Sequence, residues 1–281
     1  MRAFRIAYDG TPYYGYRRQP DVPTVEDEIF DALRELGVLE FDADKPAGYA
    51  AAGRTDAGVS ALSQTIALEA PDWLTPRAFN GGLPADVRAW ASAEPPADFH
   101  ATHHASAREY TYHLYAPLEG DAGEFDTPVE DGRFQEGLEA LSGTHDVHNL
   151  TPDDHNTERT LELEATRDGV YLVVTVRAGG FCRELVRRLV SLAHAVGTGE
   201  EPLSKIDHAL SIEPLPGHEG IAPAPAEPLV LTHVEYPDLE FSVDEEAAKV
   251  AREIFDRRRR NRRTRTRVSR QLSKEVRDDR E

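Results

Sequence analysis

The residues with the most chemical potential lie in the run Gly53-Arg54-Thr55-Asp56-Ala57-Gly58-Val59, with Ser60, Ala61 and Gln64 just beyond. A cation and a carboxylate stand two residues apart between two glycines, behind the small uncharged run Ala50-Ala51-Ala52. Glycine at both ends suits backbone that turns sharply or lies close to a ligand. A carboxylate presented on such a loop could act as a nucleophile or as an acid/base. The same residues also fit an ordinary turn with a surface ion pair. Two residues from later in the chain could join Asp56. Tyr110 lies on the inward face of a strand that follows Arg108. Arg187 lies on a helix beginning at Phe181. At about 100° per residue it falls opposite the Leu185/Leu189 stripe and next to Arg183, either exposed or aimed into a cleft. An opposite charge nearby would keep the carboxylate ionised, and a tyrosine above it could stack on a base or move a proton.

Other chemistries find less support. His100, His103 and His104 lie close together, as do His145, His148 and His155, which would allow a zinc site. The single Cys182 leaves no second thiolate for zinc and no partner for a disulfide. There is no phosphate-binding Gly-x-x-x-x-Gly-Lys loop, no dinucleotide fingerprint and no His-Glu-x-x-His. Neither a metal nor another cofactor is expected.

The elements that must position these residues follow from pattern. Arg2 to Tyr8 alternates as a strand and ends at the turn signal Asp9-Gly10. The next loop, Thr11 to Pro20, mixes tyrosines with Arg17 and Arg18. That mixture could stack bases and contact phosphates, or its tyrosines could pack on the sheet. Thr24 and Asp27 resemble a capping box for a helix striped by Val25, Ile29, Leu33 and Leu36 and ended by Gly37. Strands are expected at Ser63–Leu68, Val87–Ser92, Arg108–Tyr115 and Val230–Tyr236, with a short helix from Thr75-Pro76. A hairpin turns at Asp168-Gly169, and helices carry Phe134, Leu138 and Leu141, Phe181 to Val196, and Val243 to Ile254. The irregular alternation indicates two α+β units sharing a sheet rather than a parallel doubly wound fold.

Charge is the chain's other marked property. Its 281 residues hold 51 Asp+Glu against 32 Lys+Arg, a formal net charge of −19, and only four of those cations are lysines. Abundant carboxylate with scarce lysine matches the composition of proteins from extreme halophiles, whose salt screens self-repulsion. The distribution is uneven, since residues 251–281 carry a net +7 and residues 1–250 a net −26. Between positions 257 and 270 there are nine arginines and no acid. That segment is either a polyanion-binding element or a solvated, partly disordered tail. No apolar run reaches membrane-spanning length, and the start is not a secretory signal, so a soluble cytoplasmic protein is expected.

Taken together, several stretches resemble the tRNA pseudouridine synthases of the A type. The strongest is Gly53 to Ala61 with Gln64. Its companions occur in the family's order: Tyr8-Asp9-Gly10-Thr11 with Tyr14-Gly15, Thr24-Val25, Leu83-Pro84-Ala85-Asp86-Val87, Phe99-His100-Ala101, Arg108-Glu109-Tyr110-Thr111-Tyr112, Gly143-Thr144-His145-Asp146, and Phe181-Cys182-Arg183 leading to Val186-Arg187-Arg188-Leu189-Val190. The resemblance covers about residues 2–236.

What the resemblance implies is concrete. The fold would be the pseudouridine synthase fold, with two related α+β halves forming one extended, mostly antiparallel sheet and a central cleft. Residues 1–105 would form the half with the aspartate loop, 106–240 the half with the tyrosine strand and arginine helix, and 241–281 a C-terminal helix and arginine-rich tail. Asp56 would be the catalytic nucleophile, Tyr110 would stack on the uracil and help to move a proton, and Arg187 would pair with Asp56. Arg54, Arg17, Arg18, Arg108 and Arg183 would contact RNA. The substrate would be tRNA at uridines 38, 39 and 40 of the anticodon stem-loop, and the enzyme a cytoplasmic homodimer. Some positions depart from the family pattern. Thr102 stands where an arginine often follows Phe-His-Ala, Ser60 where bacterial members have histidine, and Val147-His148 where a phenylalanine is usual. Two other classes remain open at this level: a non-catalytic RNA binder retaining the scaffold, and a carboxylate-dependent hydrolase, which lacks a second candidate carboxylate.

Overall fold

The computed structural model describes residues 1–276, so positions 277–281 of the expected tail, with Arg277 and Arg280, lie outside the described residues. In chain order the first half contains β1 (Arg2–Tyr8), α1 (Val25–Glu35), β2 (Ala50–Ala51), β3 (Ser60–Leu68), α2 (Pro76–Phe79) and β4 (Val87–Ala93). The second contains β5 (Ala107–Tyr115), α3 (Asp131–Leu141), β6 (Gly143–Asp146), β7 (Glu158–Asp168), β8 (Tyr171–Ala178), α4 (Leu185–Thr198), α5 (Ser204–Ala209) and β9 (Leu229–Glu235). The short β10 (Ser242–Val243) and the long α6 (Glu245–Glu275) follow.

Local rules account for much of this. Thr24 caps α1 by accepting a hydrogen bond from the Asp27 amide at 3.3 Å, and Gly37 leaves the helix at φ +69°, where a side chain would be strained. Asp244 caps α6 in the same way through the Ala247 amide at 3.1 Å. The stripe Val25, Ile29 and Leu33 is buried beneath α1, and Leu185, Leu189, Leu192 and Val196 are buried beneath α4.

Among the described residues the strands form one sheet in the order β10-β4-β1-β3-β9-β5-β8-β7-β6, with β2 beside β3. Every pairing is antiparallel except β3 with β9, which is parallel. The expected α+β class and shared, mostly antiparallel sheet are therefore found. Three expected boundaries move. The third strand begins at Ser60 rather than Ser63, because Ser60 and Ala61 gain ladder partners in Val230 and Leu231 of β9. The helix expected from Phe181 begins only at Leu185, since Glu184 adopts φ 58° and cannot continue a right-handed turn. Val243 belongs to β10, and α6 runs unbroken through the arginine run to Glu275, where a partly disordered tail was one of two expectations.

The β3–β9 junction joins the two half-sheets through only two residue pairs, and the buried Arg5 and half-buried Arg108 reinforce it. Arg5 of β1 donates to the Ser63 carbonyl at 3.3 Å, Thr65 Oγ1 at 2.8 Å and the Val234 carbonyl of β9 at 2.6 Å. Its guanidinium also lies 4.2 Å from the Phe241 ring centroid. Burial lowers its pKa to about 10, so it remains a cation. Arg108 of β5 donates to the carbonyls of Ala52 and Thr102 in the first half, at 2.8 and 2.6 Å, and to Ala105 and Gly179 at 3.3 and 2.6 Å. No helix of the described residues is long and apolar enough to cross a membrane. Replacing Arg5 by Met keeps chain length but leaves several interior acceptors without donors. A loss on the order of 2–4 kcal/mol in unfolding free energy is expected, measured by denaturant titration in high KCl.

Candidate active site

Asp56 sits in the loop that enters β3, four residues before Ser60. That loop is held from beneath by the first half of the chain. The Tyr8 hydroxyl and Thr55 Oγ1 share a 2.8 Å hydrogen bond, Gln64 Nε2 donates to the Gly53 carbonyl at 2.8 Å, and the Tyr16 amide donates to the Thr55 carbonyl at 3.0 Å. Gly58 turns the loop at φ +83°. A Cβ built on Gly10 would collide with the Val59 carbonyl oxygen, so this loop and the end of β1 pack backbone to backbone.

The sheet register then brings the second half to the same point. Ala61 of β3 is opposite Leu231 of β9, and Leu231 is opposite Tyr110 of β5, at a bulge that follows Glu109. The Tyr110 ring is buried and meets Phe181 edge to face at 5.1 Å between centroids. Its hydroxyl has no hydrogen-bond partner among the described residues. Burial, with Tyr8 and Asp56 nearby, pushes the phenol well above its ordinary value, so it stays protonated at neutral pH.

Arg187 closes the arrangement from α4. Its Nε donates to the Ala224 carbonyl at 2.6 Å, which aims the guanidinium, and its terminal nitrogen lies 3.4 Å from Asp56 Oδ2. The pairing expected from sequence is thus present, and Arg187 is turned into the cleft rather than into solvent. Its effect on Asp56 is less than expected. Burial raises the Asp56 carboxyl above the ordinary value and outweighs the lowering by Arg187, with Glu184 adding to the rise and Arg183 opposing it.

Asp56, Tyr110 and Arg187 line one open cleft of about 1470 Å³. Eight Lys+Arg and five Asp+Glu line it, so its charge is inverted relative to the whole chain. Arg17 and Arg54 are exposed in it, with no partner among the described residues. Arg18 pairs with Asp27 at 2.9 Å and donates to the Asp44 carbonyl at 2.8 Å. Arg183 is largely exposed but pairs with Asp153 at 2.6 Å. Arg108 differs from the expectation of an RNA contact: both terminal nitrogens are occupied by four backbone carbonyls, and it acts as a strut across the two halves. Of the tyrosines in the Thr11–Pro20 loop, Tyr13 and Tyr16 are buried while Tyr14 is exposed at the cleft.

Sequence reasoning missed Arg159, Asp153 and Glu184, which also line the cleft. Arg159 sits in a polar stretch with no periodic signal, and its Nε is buried without a partner among the described residues. The positive φ of Glu184 is invisible in sequence because glutamate seldom adopts it. Ser60 Oγ accepts the Gly10 amide at 3.0 Å and Thr102 Oγ1 donates to the Ala51 carbonyl at 2.5 Å, so both departures from the family pattern serve local structure. Among the described residues no group of three or more His, Cys, Asp or Glu is arranged to hold a metal ion. His100 and His103 stack on each other at 4.2 Å instead.

Residues 138–237 match the family model described as tRNA pseudouridine synthase. The chain is 60% identical over 269 residues to the tRNA pseudouridine synthase A of Haloarcula marismortui, covering 96% of this chain and 98% of that protein. It is 55% identical to the protein of that name from Natronomonas pharaonis, over 97% of this chain and 99% of the relative. The Halobacterium salinarum counterpart is 53% identical, over 97% and 98% respectively.

The Asp56 environment sets a pH dependence. Its folded pKa is raised above the ordinary 3.8, so the folded chain holds this proton more tightly than the unfolded one. The resulting stabilisation is full below the unfolded value and is lost as pH rises through the folded value. Asp56→Asn is therefore expected to be as stable as wild type at neutral pH, or more so, by thermal unfolding. Arg187→Gln removes the largest lowering influence and should raise the Asp56 carboxyl further, read by carbon NMR titration.

Proposed function

The chain belongs to the tRNA pseudouridine synthase A family, and from that premise we propose that it converts uridines 38, 39 and 40 of the tRNA anticodon stem-loop with Asp56 as its catalytic carboxylate. It is a tRNA pseudouridine synthase, an isomerase. The observation that carries the residue assignment is the convergence of Asp56 and Arg187 at 3.4 Å, from opposite halves of the chain, beside the free Tyr110 hydroxyl in one positively charged cleft.

The reaction breaks the bond between uracil N1 and ribose C1′, turns the base and joins C5 to C1′. The C5 proton leaves and N1 ends protonated, so atoms balance without a redox partner. Two routes use the same carboxylate: attack of Asp56 on C1′, or removal of a ribose proton to give a glycal. In both, Asp56 must be ionised, as nucleophile or as base, and Arg187 supports the charge that burial opposes. Burial keeps Tyr110 neutral, so its hydroxyl meets the base as a hydrogen-bond donor, and any proton it passes on must be returned within the cycle. Its ring beside Phe181 offers the flipped uracil an apolar stacking surface, which offsets part of the few kcal/mol needed to extrude a base. Arg54 and Arg17, exposed and unpaired among the described residues, suit contacts with phosphate, with Arg18 and Arg183 beside them. Arg54 helps the uridine leave its stack. The acidic composition and the haloarchaeal relatives support a halophilic enzyme, which we take to act in the cytoplasm as a homodimer.

The decisive test maps pseudouridine in a transcribed tRNA incubated in high KCl. Wild type should form it at positions 38 to 40, and Asp56→Ala should form none while binding tRNA with wild-type affinity. Full activity in Asp56→Ala would remove the aspartate from this role. Tyr110→Phe keeps the stacking ring and should lose roughly 10²–10⁴ in rate if the phenol transfers a proton. A wild-type rate would limit Tyr110 to stacking.

A further inference from the structure

The arginine run lies in a position the reaction does not explain. From Asn261 to Val276 every residue of the chain's last described segment is exposed, so α6 leaves the body after Arg262. At about 1.5 Å per residue, the thirteen helical residues that follow extend roughly 20 Å. Arg263, Arg265, Arg267 and Arg270 have no acidic partner among the described residues, whereas Arg259 and Arg260 pair with Asp256. Arg259, Arg263 and Arg267 follow one another at four-residue spacing, where like charges repel along a helix. A free helix whose arginines repel one another, and whose Val268 and Leu272 face solvent with nothing packed on them, is poorly stabilised by itself.

The root of this helix is held to the site. Arg258 and Arg262, one turn apart, converge on the buried carboxylate of Asp9 at 2.8 and 2.6 Å, and Arg262 also reaches Thr11 Oγ1 at 3.2 Å. Arg258 pairs with Asp86 as well. Asp9 and Thr11 flank Gly10, whose backbone lies against Val59 and Ser60, and the same loop continues through Tyr14 and Arg17 into the cleft. The clasp therefore fastens α6 directly behind the loop that carries Asp56.

We infer that residues 263–270 of α6 form an arm for the phosphate backbone of the tRNA, positioned beside the cleft by the clasp of Arg258 and Arg262 on Asp9. The inference rests on the cleft being the uridine site. Charge complementarity selects the partner. Residues 1–250 carry a net −26 and repel RNA, while the segment 257–270 holds nine arginines and no acid. Phosphates spaced along a strand would neutralise side chains that repel one another in the free helix. Arginine suits this in strong salt, because its planar fork donates two hydrogen bonds to one phosphate and keeps directional contact where long-range attraction is screened.

The test is tRNA binding by the full chain over a range of KCl concentrations. Replacing Arg263, Arg265, Arg267 and Arg270 together by Gln should raise Kd at least tenfold and reduce the slope of log K against log salt by roughly 2 to 3. Asp56→Ala should keep the wild-type slope. Arg258→Gln/Arg262→Gln retains the four outer arginines, yet should cleave faster with trypsin within 263–270 and bind tRNA several-fold more weakly. An unchanged Kd and slope in the fourfold variant would overturn the arm and leave the site assignment standing. Unchanged binding in the double variant would overturn the clasp. Loss of self-association in the fourfold variant, with tRNA affinity per protomer unchanged, would identify a second copy as the partner and overturn the inference. If wild type binds through the arm but converts no uridine, the site reading fails and the arm survives.

Discussion

The constraint on which the molecule depends is the narrow junction between its half-sheets. Two residue pairs of parallel ladder, Ser60 with Val230 and Ala61 with Leu231, join strands that otherwise pair within their own halves. So short a ladder cannot fix the angle between two halves by itself. Arg5 and Arg108 supply what it lacks, each spanning the junction with several donors to carbonyls on both sides. A guanidinium serves here because it offers five donors in a rigid plane and stays charged in the interior. The cleft opens over this junction, so the groups that stabilise the halves also set the distance between Asp56 and Arg187.

Charge is organised at three scales. The chain as a whole is strongly acidic, and its carboxylates repel one another unless salt screens them. The cleft reverses that sign with eight basic residues against five acidic ones. At the proposed catalytic residue the balance tightens again: burial disfavours the Asp56 carboxylate, Arg187 favours it, and Glu184 and Arg183 pull in opposite directions. A carboxylate whose pKa is set by such opposed influences is a candidate functional group. The clasp at Asp9 works the other way. There, two arginines and Thr11 overcome burial and hold the carboxyl below its ordinary value, as befits a structural anion.

Much of the fold was legible because it is local. Alternation marked β1, β5, β7 and β8, and the Asp168-Gly169 turn marked their hairpin. Thr24 and Gly37 bracketed α1, and the apolar stripe located α4. Apart from the start of α4, which the backbone of Glu184 delays, the boundaries that shifted were those set by distant partners. Ser60 becomes a strand residue only because β9 arrives beside it, and the arginine run is a helix whose root is clasped by Asp9, some 250 residues earlier. Arg108 had the residue type of an RNA contact, but sequence could not show four carbonyls converging on it.

By itself the sequence determined the fold class, the acidic character, and the identity of the residues able to do chemistry, since these follow from side-chain type, short-range periodicity and ordered motifs. It also implied that Asp56, Tyr110 and Arg187 belong together, through family resemblance rather than geometry. Only the tertiary structure decided that they meet, that burial outweighs Arg187 at Asp56, and that Arg159, Asp153 and Glu184 share the cleft. Those facts depend on distances between residues far apart in the chain and on how deeply the fold buries each group, and neither is encoded at any single position.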